Sequence, residues 1–162
     1  MKTKIFIIAA ILSTVMAVQA HSLGLGVQWN YSAGYLRAPG MAFLVSPSRV
    51  THFAFNWFFA DTSVVGLTFD VVPIILPLST NVLGGSFNFT LGAGLYTNLV
   101  FGDDLGMDLG LRVPIGFNLL LANNIFEIFT HMAPSFGLRF LPNLDVASPF
   151  FPLAIGARVW LR

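Results

Sequence analysis

The chain has 162 residues, of which 56% are hydrophobic and only 9% are charged. An ordinary soluble domain carries roughly 25% charged residues, so this composition argues against a surface that meets only water. The formal net charge is +1 and there is no basic cluster of the kind that binds nucleic acid. The chain has no cysteine, which excludes disulfides and thiol chemistry and fits passage through an oxidising compartment.

The first segment, residues 1–20, has the three parts of a secretory signal peptide. Two lysines open it, residues 5–15 are an apolar run, and residues 18–20 (Val-Gln-Ala) form a cleavage site with small side chains. An uncleaved membrane helix would need about 18 apolar residues, and polar residues interrupt this stretch. We predict cleavage after Ala20. The mature domain, residues 21–162, then keeps six arginines, no lysine and a net charge of about −1.

Alternation of apolar and polar residues with a period of two, which is the signal of a β-strand, begins directly after the cleavage site. Residues 22–31 alternate strictly, and further alternating segments follow at residues 41–45, 51–59 and 63–72. Aromatic side chains crowd one face of the third segment. The first half of the mature chain is therefore predicted to contain four strands.

The second half contains four longer alternating segments, at residues 85–97, 104–119, 125–140 and 151–161. The clearest is the second of these, in which every other residue from Leu105 onward is apolar. No run after residue 20 is long and apolar enough for a membrane helix. The mature chain is thus predicted to be all-β with eight strands.

Short clusters of turn-forming residues separate the eight predicted strands. They lie at residues 46–48, 60–62, 79–81, 102–103, 122–124 and 142–143. Such clusters make hairpin connections, so the predicted sheet is antiparallel and up-and-down.

The charged residues indicate which face of this sheet is buried in lipid, since alternation alone fits a soluble barrel equally well. In the eight segments one face carries no charge, while these six charged residues all fall on the other face: Asp70, Asp108, Arg112, Glu127, Arg139 and Arg158. An arginine facing lipid costs about 2 to 4 kcal/mol at the bilayer midplane, and small residues suit the interior of a narrow barrel. We therefore predict an eight-stranded antiparallel up-and-down transmembrane β-barrel in a bacterial outer membrane, closed so that every backbone amide has a partner.

Several motifs resemble known small outer-membrane proteins. Residues 156–161 resemble the C-terminal assembly signal of such barrels, although Arg162 rather than an aromatic residue ends the chain. The whole mature pattern resembles eight-stranded barrels of the OmpX and OmpA-transmembrane type. Residues 111–116 (Leu-Arg-Val-Pro-Ile-Gly), 126–129 (Phe-Glu-Ile-Phe) and 133–134 (Ala-Pro) are similar to OmpX-like barrels from spirochaetes. The resemblance implies no catalytic motif, and as partners it implies outer-membrane lipid, the barrel-assembly machinery and an extracellular ligand of unknown identity.

The six inward charges are predicted to form a structural network inside the barrel. An eight-stranded barrel is filled by side chains, and a buried charge without a partner costs several kcal/mol. This makes pairing a better interpretation than a selectivity filter. Arg112 and Glu127 lie on consecutive predicted strands and are the first pair that we predict.

Two histidines, His52 and His131, also fall on the inward face. With Ser135 or Asp70 they could form a lipase-like group of the kind that outer-membrane lipid A deacylases carry. The spacing is unspecific, and a hydrogen-bonded histidine in the lumen is the better interpretation. No cluster has the spacing of metal ligands, so we predict no catalytic, metal or cofactor site.

The sequence leaves three functions open. The leading one is a non-enzymatic outer-membrane protein that contributes to envelope integrity or to surface interactions. The second is a narrow channel for small or hydrophobic solutes, similar to OmpW-type proteins, which would need a water path past Arg112. The third is a lipid-modifying enzyme, which would need a histidine and a serine in contact near the outer rim. The outward connections are predicted to be short, at residues 32–40, 60–62, 98–103 and 141–150.

Overall fold

The computed structural model describes residues 22–34, 37–60 and 62–161. The predicted signal peptide lies outside these residues. Within them there is no helix long and apolar enough to cross a membrane. The strands are β1 (Leu23–Gly34), β2 (Pro39–Ser46), β3 (Thr51–Phe59), β4 (Ser63–Val82), β5 (Gly85–Phe101), β6 (Leu105–Arg112), β7 (Ile115–Leu121), β8 (Phe126–Met132), β9 (Ser135–Leu141) and β10 (Asp145–Leu161).

All ten strands belong to one antiparallel sheet that closes on itself because β1 pairs with β10. Strands β6 and β7 lie end to end along β5, and β8 and β9 lie end to end along β10. The ten strands therefore occupy eight positions around a ring, and each position pairs with the one before and the one after it. The prediction of an all-β, up-and-down antiparallel sheet is confirmed.

The ring closes with a stagger, as expected for tilted strands. Following paired residues once around the ring from Gly26 leads to Ala147, which lies beyond the β10 residue that pairs with Gly34. The residues on this path are Leu44, Ala54, Thr68, Tyr96, Gly110 and Gly137. Gly26 itself pairs with Arg158, so the path ends 158 − 147 = 11 residues away along β10. An eight-stranded ring leaves an interior just wide enough for side chains to fill.

Prolines divide the sixth and seventh predicted strands, each of which was expected to be continuous. Pro114 separates β6 from β7 and Pro134 separates β8 from β9, because proline has no N–H to donate to a ladder. The wall stays continuous across the breaks. The Val113 N–H donates to the Pro134 carbonyl at 3.0 Å, and the Gly92 N–H donates to the Pro114 carbonyl at 2.9 Å.

The fourth strand is longer than predicted, and the predicted turn at residues 79–81 is wrong. Strand β4 continues to Val82 because its second half pairs with β5 through several register shifts. The turn falls instead at Leu83 and Gly84, where both φ angles are positive, at 50° and 72°. Two such residues in succession are typical of a tight hairpin turn.

The ring has two ends, which differ in what they carry. The terminal end holds the described chain ends and the turns at residues 47–50, 83–84 and 122–125. At the far end lie the strand ends that flank the β1–β2, β3–β4, β5–β6 and β9–β10 connections. These four lie where outward connections were predicted, and three of them are shorter because β1, β2, β5, β9 and β10 extend into the predicted loops.

The outer wall of the ring is apolar and its inner face is polar. Phe43, Trp57 and Ile155 are 71%, 53% and 60% exposed on the outside, while Gln28 and Asn56 are buried inside. The other described charged residues lie in connections or at the first residue of a strand: Arg37, Arg49, Asp103, Asp104 and Asp145. The polarity of the sheet is thus inverted relative to a soluble protein.

Candidate functional site

The lumen holds the six charged residues that were predicted to form a network there. They form three ion pairs: Arg112 Nε to Asp70 Oδ1 at 3.2 Å, Arg139 Nε to Asp108 Oδ1 at 2.9 Å, and Arg158 Nη1 to Glu127 Oε2 at 3.1 Å. Two of the pairs join adjacent strands, and the pair of Arg112 with Asp70 joins two strands that are separated by β5. The lumen therefore contains three separate local pairs.

The predicted pair of Arg112 with Glu127 is wrong, because the register separates the two residues. Glu127 pairs across the ladder with Leu120, near the terminal end, whereas Arg112 pairs with Gly94. Gly94 also pairs with Asp70 on its other side, so it lies between the two charged residues. A Cβ at Gly94 would collide with Asp70 Oδ1. The missing side chain is what lets Asp70 and Arg112 meet across β5.

Glu127 accepts hydrogen bonds from three side chains near the terminal end. Besides Arg158, Trp160 Nε1 donates at 2.7 Å and Asn118 Nδ2 donates at 2.8 Å. Asn118 in turn accepts a hydrogen bond from Asn88 at 2.8 Å. This one buried carboxylate therefore ties together the side chains of β5, β7, β8 and β10.

Arg49 and Trp160 cover the lumen at its terminal end. The guanidinium carbon of Arg49 lies 4.8 Å from the centre of the Trp160 ring, and that of Arg158 lies 5.3 Å from it, both within cation–π range. Arg49 Nη2 also donates to the Asn124 carbonyl at 2.8 Å, which links two turns across the opening. Trp160 lies two residues from Arg158 in the alternating segment 151–161 and so shares its inward face, but nothing in the sequence singled out Arg49, which follows a turn cluster.

His131 lies beside Arg112 in the middle of the lumen. Its Nε2 is 3.4 Å from Arg112 Nη2, and its ring stacks on Phe129 with the centres 5.8 Å apart. Ser135, which could have completed a lipase-like group, donates instead to the Ala133 carbonyl at 2.8 Å. The structure therefore gives His131 no serine partner among the described residues.

His52 contacts a serine that the sequence had assigned only to a turn. Its Nδ1 and Ser46 Oγ share a hydrogen bond of 2.9 Å. Ser46 has no exposed surface and lies near the terminal end, whereas a lipid-modifying site was expected at the far rim. Asp70, the carboxylate that faces His52 across the ladder, is paired with Arg112. This geometry does not build a nucleophile that a lipid could reach.

Two small cavities lie in the lumen, on either side of the level of Arg112 and His131, which line both. The larger has a volume of about 50 Å³ and the smaller about 10 Å³. A cavity needs about 10 to 15 Å³ to hold one water molecule, so these spaces hold a few waters and about one, respectively. At the far end Phe58 and Val64 are buried with Ala38 in an apolar cluster. Side chains thus fill most of the lumen that the structure describes.

No group of three or more metal-binding side chains occurs among residues 22–34, 37–60 and 62–161. The lumen therefore offers ion pairs, amide hydrogen bonds and two histidines.

No family model matches the chain, and no curated protein matches it. Among solved structures, the crystal structure of Neisserial surface protein A is similar, with a TM-score of 0.50 and 15% sequence identity. The match covers 85% of this chain and 95% of that protein. At this identity the likeness concerns the fold alone. The chain is an all-β protein whose closed, barrel-like antiparallel sheet is similar to that of Neisserial surface protein A.

Proposed function

We propose that the chain is a non-enzymatic, integral protein of a bacterial outer membrane, in which the eight strand positions form a transmembrane β-barrel. The observation that carries this proposal is the inverted polarity of the ring: exposed apolar side chains cover its outside, while three ion pairs lie inside it. Soluble monomers rarely expose an apolar patch of more than a few hundred Å². A closed sheet, in contrast, satisfies all its backbone amides in hydrocarbon.

A predicted signal peptide together with an even number of strand positions favours the outer membrane. The signal peptide predicted at residues 1–20 would export the chain, and barrels with an even number of strands are the usual integral proteins of that membrane. The terminal end would then face the periplasm and the far end the exterior. Outer-membrane lipid would surround the wall, and the barrel-assembly machinery would recognise residues 156–161 at the end of β10.

The filled lumen supports a role in envelope integrity, or in surface interactions through the far-end connections, better than it supports a transport channel. The lumen is closed at the far end by the cluster of Phe58 and Val64 and at the terminal end by Arg49 and Trp160. The matched structure is, by its name, a surface protein. The connections at the far end are short, so an extracellular ligand would contact a small surface.

The conductance of the protein in a planar lipid bilayer tests this proposal. We expect a silent membrane under conditions where heat-dependent gel mobility shows that the protein is folded and inserted, because side chains occupy the lumen. The Arg112→Ala variant serves as comparison, since Arg112 lies between the two cavities. Discrete, reproducible openings of the natural protein that change in the variant would contradict the proposal and favour a narrow channel.

A further inference from the structure

The second half of β4 has a neighbouring strand on one side only, among the residues that the structure describes. The last residue pair between β3 and β4 joins Thr51 to Val71, and the Val72 N–H still donates to the Val50 carbonyl at 2.7 Å. Beyond that point β4 pairs with β5 alone. Residues 73–82 therefore form one arm of a hairpin with a free edge, at the terminal end of the ring.

The hairpin that β4 forms here with β5, residues 73–91, is apolar and carries no charge. Charged residues are absent from the whole stretch between Asp70 and Asp103. In the β4 arm of the hairpin no side chain is buried. Ile74 and Leu76 pair across the ladder with residues on the outer face of β5, so the apolar outer wall of the ring continues onto the hairpin.

The tip of the hairpin carries an apolar side chain in an unfavourable backbone conformation. Leu83 and Gly84 have φ angles of 50° and 72°, and asparagine or glycine is the usual residue at the first of these positions. Leu83 is nevertheless 80% exposed, more than any other large hydrophobic side chain that the structure describes. The other two turns at this end carry polar residues, Arg49 in one and Asn123 and Asn124 in the other. A strained leucine that packs on so little protein indicates a contact outside the chain.

The free edge of β4 is poorly suited to receive another strand. Gly92 donates its N–H to the Pro114 carbonyl, away from β4. Backbone groups alternate in direction along a strand, so Asn88 also faces away from β4, and its partner Pro77 turns its nitrogen to the free edge. Proline has no N–H to offer there, and three register shifts disturb this part of β4. Prolines and bulges prevent pairing at exposed edges, which argues against a strand from a partner protein or a second copy.

The backbone and the side chains of this hairpin make opposite demands on their surroundings. The free edge needs water, because an open sheet edge does not occur in hydrocarbon. The exposed apolar side chains need a medium other than water. The boundary between lipid head groups and acyl chains offers both, and amphipathic segments bury their apolar face there to a depth of about 5 to 10 Å.

We propose that the β4–β5 hairpin anchors the protein to the lipid interface at the terminal end, with Leu76, Leu78 and Leu83 inserted at the boundary between head groups and acyl chains. The inference rests on the function proposed above, since it needs a ring that spans a bilayer. It adds a lipid contact outside the closed wall, on one side of the ring only.

Fluorescent labelling at the tip tests the anchor, because the chain has no cysteine and a single introduced cysteine takes up the label alone. The protein, produced from the full chain, carries nitrobenzoxadiazole at Leu83→Cys and is folded into phosphatidylcholine vesicles. Some of the lipids bear a nitroxide on the acyl chain close to the head group. We expect the label to lose most of its fluorescence to these lipids and to be shielded from iodide in the water.

Two further labelled variants separate failure of the anchor from failure of the proposed function. Leu153→Cys reports on the outer wall, and Asp103→Cys reports on an exposed charged connection in water. Quenching by nitroxide lipids at Leu153→Cys, with none at Leu83→Cys or Asp103→Cys, would overturn the anchor and leave the membrane-spanning ring intact. No quenching at Leu153→Cys or Leu83→Cys would contradict both.

A second site on the hairpin keeps the test independent of one variant. Leu76→Cys lies on the β4 arm, and we expect its label to be quenched by nitroxide lipids as well. Heat-dependent gel mobility shows which variants are folded. Labels at both sites that iodide quenches from the water would overturn the anchor. Labels shielded from iodide but untouched by nitroxide lipids would mean that a protein covers the hairpin, and would overturn it too.

Discussion

Replacing Leu153 by arginine is expected to destabilise the protein in lipid bilayers by about 2 to 4 kcal/mol. Leu153 lies at the middle of β10, where it pairs with Tyr31 on β1 and with Met132 on β8. Its side chain is 50% exposed on the outer wall. If that wall faces hydrocarbon, the substitution places a guanidinium where water cannot solvate it.

The measurement is the free energy of unfolding in bilayers, obtained from a reversible denaturant titration. Leu144→Arg is the matched control, because the substitution is the same but Leu144 lies in the far-end connection at residues 142–144 and is 72% exposed. We expect it to change stability by less than about 1 kcal/mol, as for positions near the membrane interface. Equal losses in the two variants would contradict the assignment of the outer wall to lipid.

Replacing Glu127 by alanine is expected to cost about 3 to 5 kcal/mol of stability, the range for removing one partner of a buried ion pair. Three donors, on Arg158, Trp160 and Asn118, would lose their acceptor at once. Both side chains of the pair are only 5% exposed, so water is poorly placed to replace the carboxylate.

Asp108→Ala is the comparison for this variant. It breaks the pair with Arg139, whose side chain is 27% exposed and can be solvated from the rim, so a smaller loss is expected. Thermal and denaturant unfolding in detergent measure both. A second variant, in which Glu127 and Arg158 are both replaced by methionine, should recover part of the loss because no unpaired charge remains. Equal losses for Glu127→Ala and Asp108→Ala would refute the central role of Glu127.

The sequence predicts the number of strand positions and the two faces, because both follow from local rules. In a strand every second side chain faces the same way. The charged residues of the predicted strands all occupy one of the two faces. Glu127, Arg139 and Arg158 were thus assigned to the interior from alternation together with the absence of charge on the opposite face. The alternation of apolar and polar residues continues across Pro114 and Pro134, so the sequence pattern gave no reason to divide either strand.

The sequence could not provide the pairing of side chains across the lumen, because register depends on turns and bulges of several strands. Asp70 meets Arg112 only because Gly94 lies between them, and that triple alignment joins residues of three strands. The length of β4 was missed for a related reason: beyond Val72 it is held by β5 through register shifts rather than by regular alternation. Arg49 was missed because turn residues carry no periodic signal.

Quenching of tryptophan fluorescence by lipids brominated on their acyl chains tests the inverted barrel most directly. The chain has three tryptophans, of which Trp29 and Trp57 are 50% and 53% exposed on the outer wall, while Trp160 is 3% exposed in the lumen. Trp160→Phe retains the two outer tryptophans, and the double variant Trp29→Phe, Trp57→Phe retains only the inner one. We expect strong quenching of Trp160→Phe and almost none of the double variant. Equal quenching of both, or quenching of the double variant alone, would contradict a barrel whose apolar face meets lipid.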